Sequence, residues 1–119
     1  MTAAMPCMVC REKNDDGALR RLEQLERLLR SSDIEPVQKN RLRIQWGKHN
    51  HCRYGLPCPH IEETERRMRA IQIRIEPYLA ALAEPGREQL FHEVLELLRG
   101  YFPAAWHAVN RQHAKGGRI

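Results

Sequence analysis

Apolar residues recur along this chain with a helical period in four stretches and with an alternating period in one. Ala18, Leu22, Leu25 and Leu29 fall at i, i+4, i+7 and i+11, with Leu19 and Leu28 widening the stripe, which predicts an amphipathic helix over 17–31. Asp15 or Asp16 supplies an N-cap oxygen, and Glu23 with Arg27 and Glu26 with Arg30 are i,i+4 pairs in the favourable order. The chain restarts at Ser32 or Asp33, and Pro36 suits the first turn of a second helix. In that stretch Leu42, Ile44 and Trp46 alternate with Arg41, Arg43 and Gln45, so a half-buried strand is the alternative to the helix expected up to Gly47.

After a turn-forming Tyr54-Gly55-Leu56-Pro57 stretch, a long helix is expected from Pro59, with Glu62, Glu63 and Glu65 near the positive end of its dipole. Ile61, Thr64, Met68, Ile71, Ile75, Tyr78 and Leu82 repeat at alternating three and four, a heptad pattern that serves a core or a homodimer through the 61–82 helix equally well. Pro77 predicts a kink or split after Ile75, and Pro85-Gly86 an end. Leu90, Phe91, Val94, Leu95 and Leu98 mark a further helix closed by Gly100, and Pro103 starts a short one containing Trp106 and Val109. The expected fold is mainly α: a four- or five-helix small domain over residues 1–114, with a metal-stapled N-terminal helical hairpin and a flexible tail at 115–119.

The staple comes from the cysteines. All four fall in two clusters, Cys7 with Cys10 and Cys52 with Cys58, and His49, His51 and His60 crowd the second. Forty-one residues separate Cys10 from Cys52. Two antiparallel helices of similar length, each rising about 1.5 Å per residue, would return the chain close to its start and let the clusters meet. Cys7, Cys10, Cys52 and Cys58 complete a closed tetrahedral zinc set in which His49, His51 or His60 can replace a sulfur; an iron–sulfur cluster uses the same four thiolates. Cys58 lies just before a helix N-terminus, where the dipole favours the thiolate.

Charge narrows the partner. The formal net charge is +5, and all of it lies between Pro36 and Ile61, where Lys39, Arg41, Arg43, Lys48 and Arg53 meet no carboxylate. Trp46 and Tyr54 lie among them as rings able to stack, so these seven residues form the expected contact surface for nucleic acid or an acidic protein. The Arg66-Arg67-Met68-Arg69 run follows three glutamates and reads as an ion-paired, solvated face. No phosphate-binding glycine loop, His-Glu-x-x-His or Gly-x-Ser-x-Gly occurs, so no catalytic residue is assigned. No apolar run approaches 18 residues and no secretory signal is visible, from which a cytoplasmic setting is expected. The sequence therefore points to a small zinc-binding regulatory or adaptor protein whose segment 36–61 binds an anionic partner, with an iron–sulfur or thiol-redox accessory protein as the alternative.

Overall fold

A computed structural model describes residues 16–37, 43–47 and 59–116, and these are mainly helical, with four α-helices and no strand among the described residues. The helices are α1 (Asp16–Ser31), α2 (Pro59–Ala81), α3 (Glu88–Leu98) and α4 (Pro103–Gly116).

The stripe read from the sequence of α1 is the face it buries. Leu22, Leu25 and Leu29 are almost wholly inaccessible, with Ala18 and Leu19 beside them. Each buried leucine contributes roughly 1.5–3 kcal/mol of transfer free energy. The helix closes at two serines: Ser31 Oγ donates to the Leu28 carbonyl at 3.1 Å, and the Leu29 carbonyl accepts from both Ser32 Oγ at 2.6 Å and the Ser32 N–H at 3.3 Å.

Thr64, Met68, Ile71, Ile75, Leu79 and Leu82 of the α2 stretch are buried, so most of the heptad stripe is covered within one chain. α2 runs unbroken through Pro77, so of the expected kink or split the split does not occur. Pro77 removes only the donor to the Ile73 carbonyl, and Ile73 lies on the solvent side, where water can replace it. Buried Ile75 and Leu79 flank the proline and hold both sides of it to the same core. The helix ends at Ala81, earlier than Pro85-Gly86, in a tightened turn with Leu82 N–H on the Leu79 carbonyl at 3.2 Å.

α1 and α2 pack side by side and run parallel. Glu23 meets Arg67 at 3.5 Å, Glu26 meets Arg74 at 2.6 Å, and the Val37 N–H donates to the Pro77 carbonyl at 3.1 Å, so contacts advance in the same direction on both chains. Near the C-terminal end of α1, the Arg87 guanidinium reaches the Asp33 carbonyl. α3 and α4 form an antiparallel hairpin across Gly100, whose φ of +83° is a left-handed conformation open to glycine without strain. Phe91 stacks on His113 at 3.7 Å between ring centres, which fixes that antiparallel register. Pro103 occupies the first turn of α4, where its missing N–H costs no helical bond. α4 extends to Gly116, past the start expected for the tail, and residues 117–119 lie outside the described residues.

The second helix expected from Pro36 is corrected: residues 34–37 and 43–47 are not helical. Ile44 and Trp46 are buried while Arg43, Gln45 and Gly47 are exposed, an alternation of period two. In a helix, positions two apart point about 200° apart, so Ile44 and Trp46 could not share one buried face; an extended chain puts them there. The burial follows the strand alternative, without a paired strand among the described residues.

Candidate functional site

The extended segment 43–47 is held from both sides. The Trp46 indole N–H donates to Glu76 Oε2 of α2 at 2.9 Å, and its ring meets Phe102 edge-on at 5.6 Å between centres. Ile44 is buried beside it. Trp46 was expected as a stacking platform for a partner; it is 7% exposed and serves as an anchor in the core. The reason is chemical: a large ring with one donor is most stable where its faces are packed and its N–H is satisfied, and Glu76 and Phe102 supply both.

Anchoring Ile44 and Trp46 leaves Arg43 and Gln45 on the outside. There they form one wall of an open cleft of about 610 Å³, whose opposite wall is α4. Ala104, His107, Ala108 and Arg111 line that wall. Arg43, Arg111 and His107 thus face one space, and among the described residues its lining contains no carboxylate.

Sequence reading missed the α4 half of this cleft, although a signal existed. After Glu96 the chain has Arg99, Arg111, Lys115 and Arg118 and no Asp or Glu. Carboxylates elsewhere in the chain offset these cations in the net charge. The fold packs one carboxylate-free segment against another.

Of the other expected contact residues, Lys39, Arg41, Lys48, Arg53 and Tyr54 lie outside the described residues, as do Cys7, Cys10, Cys52, Cys58, His49, His51 and the side chain of His60. Among the described residues no group of His, Cys, Asp or Glu side chains is placed to hold a metal ion. The fold does fix the points from which both thiol clusters depart. Cys10 precedes the start of α1 by six residues and Cys58 directly precedes Pro59, the first residue of α2. Parallel packing puts these two N-termini at one end, with helix axes about 8–10 Å apart in ordinary packing, while six residues of chain reach up to about 20 Å.

The α1–α2 interface is electrostatically matched. Glu26 accepts two bonds from Arg74, Nε to Oε2 at 2.6 Å and Nη2 to Oε1 at 2.9 Å, and a third from Arg30 at 3.2 Å. The Arg74 hydrogen bond, with help from Arg30, holds the Glu26 carboxyl below the usual carboxylate range despite partial burial. Arg66 pairs with Glu63 at 3.3 Å and Arg67 with Glu23, so these two arginines belong to an ion-paired face, as their sequence context indicates.

No family model, curated protein or solved structure matches the chain. Among the described residues no helix is long and apolar enough to cross a membrane.

Proposed function

We propose that the protein is a small metal-stapled regulatory or adaptor module, working in a reducing compartment such as the cytoplasm, whose segment 36–61 binds an anionic partner. The observation that carries the binding reading is the pinned geometry of 43–47: Ile44 and Trp46 lock the backbone inward, and Arg43 is held outward on a carboxylate-free stretch. A cation on an anchored backbone loses less freedom on binding than one on a loose chain, so it contributes more of its electrostatic attraction to affinity.

The metal reading is supported by the shared end of α1 and α2. Two parallel helices present adjacent N-termini, each with about half a positive charge, and thiolates gathered there relieve the mutual repulsion of the two dipoles. Cys7, Cys10, Cys52 and Cys58 would hold zinc as a closed, non-catalytic site, with His49, His51 or His60 as alternates. A homodimer would have to use a surface other than the α2 stripe, which is mostly buried within the chain; Ile73 is the large apolar residue exposed on the opposite side.

Elemental analysis of freshly purified protein, with Cys7→Ser and Cys52→Ser variants beside it, tests the staple. One zinc per chain, lost in both variants together with a lower Tm, supports it; visible absorption would assign an iron–sulfur cluster instead. Metal-free protein with an unchanged Tm refutes the staple. For the partner, binding to polyanions at low salt should weaken when Arg41 and Arg43 are neutralised together and stay unchanged for the paired Arg66 and Arg67.

A further inference from the structure

We infer that the cleft between Arg43 and α4 seats a phosphodiester strand of duplex DNA, with α4 following the adjacent groove and Arg111 acting as a second phosphate contact. This rests on the anionic-partner reading above and extends it to a helix that reading did not include. Its basis is charge complementarity in a defined space: Arg43 from one wall and Arg111 from the other, with His107 beside it and no carboxylate among the described lining residues. Ile44, Ala104 and Ala108 also line the cleft, so small and apolar side chains accompany the two arginines.

Among the described residues, duplex is favoured over single strand by where the rings are. Binding of an unpaired strand relies on exposed aromatic faces that stack on bases. Here Trp46 is buried against Phe102, Trp106 is half-buried and edge-on to His107 at 4.8 Å, and Tyr101 lies beneath the Arg21 guanidinium at 5.2 Å. The exposed side of α4 instead offers His107, Asn110 and Arg111, with Ala114 a turn further on. Asn110 carries the side chain that pairs with adenine edges, Arg111 is left to the phosphate, and the B-form major groove is wide enough for a helix. The deep, narrow major groove of A-form RNA is not, which selects DNA.

The test is fluorescence anisotropy with a short mixed-sequence DNA duplex across a salt series, with single-stranded DNA, duplex RNA and poly-glutamate as competitors. Arg43→Ala, Arg111→Ala and the double variant are compared, each checked for unchanged helicity; Arg43 and Arg111 are both exposed, so folding is not at stake. The log–log salt slope should fall by about 0.9 in each single variant and by about 1.8 in the double one, and duplex DNA should outcompete the other polymers. A duplex affinity and slope unchanged by Arg111→Ala, while neutralising Arg41 and Arg43 still weakens binding, overturns this inference and leaves the broader reading standing. Preferential binding of single strands, RNA or poly-glutamate also overturns it. Absence of binding to every polyanion at low salt overturns both.

Discussion

Replacing Trp46 by Phe separates an anchor from a contact residue. The variant removes one indole N–H bonded to a carboxylate at 2.9 Å and part of a ring that is 7% exposed. A hydrogen bond to a charged group contributes about 1.5–3 kcal/mol, and the smaller ring leaves some volume unfilled, so the loss should total about 2–4 kcal/mol. At roughly 4 °C per kcal/mol for a domain near this size, Tm should fall by about 8–16 °C in thermal unfolding followed by circular dichroism. Glu76→Gln keeps an acceptor oxygen for the indole and should cost less than Trp46→Phe. The chain has two tryptophans, so Trp106→Phe leaves Trp46 as the sole indole, and its emission should resist acrylamide quenching. If Trp46→Phe unfolds within about 0.5 kcal/mol of the parent, below the range expected for loss of a buried contact, the anchoring argument fails.

Three further outcomes follow from the same geometry. Because Arg74 and Arg30 depress the folded-state pKa of Glu26, the stability it adds is fully present above the ordinary carboxylate value near 4.5 and is lost as pH falls through the lower folded value. Glu26→Gln should therefore flatten the acid side of a stability–pH profile, and an unaltered slope would count against the bidentate pair. Gly100→Ala should destabilise by about 1–2 kcal/mol from its φ of +83° alone, since nothing lies within 4 Å of the added methyl; a neutral variant in urea denaturation would contradict the left-handed turn. With four sulfur ligands, His49→Ala, His51→Ala and His60→Ala should each retain the full metal content by mass spectrometry under native conditions, whereas loss in one of them would assign a mixed sulfur–nitrogen site.

The helices were legible because each carries a one-sided apolar stripe. The burial of Leu22, Leu25 and Leu29 in α1, and of Met68, Ile71 and Ile75 in α2, follows the period of the sequence. Segment 43–47 was misread because Pro36 is compatible with a helix start, and that local cue was given more weight than the alternation of Ile44 and Trp46. The alternation was the better guide, since no helix can bury both residues on one face. The parallel course of α1 and α2 was not legible at all: it depends on pairs such as Glu23 with Arg67, far apart in sequence and indistinguishable there from local ion pairs. The basic wall of α4 was hidden by summing charges over whole regions. What matters for binding is which charges the fold places across a cleft, and Arg43 and Arg111 are 68 positions apart in the chain.

The proposed staple and the basic face constrain each other through chain length. Trp46 is pinned to Glu76, seventeen residues beyond the start of α2, or about 25 Å along the helix axis. The chain must return from Trp46 to Cys58, ahead of Pro59, in twelve residues, whose extended reach is about 40 Å. If Cys52 and Cys58 share one ion, the six steps from Trp46 to Cys52 must cover most of that distance, and six steps span at most about 20 Å. A shared metal therefore leaves little slack in the chain between Trp46 and Cys52.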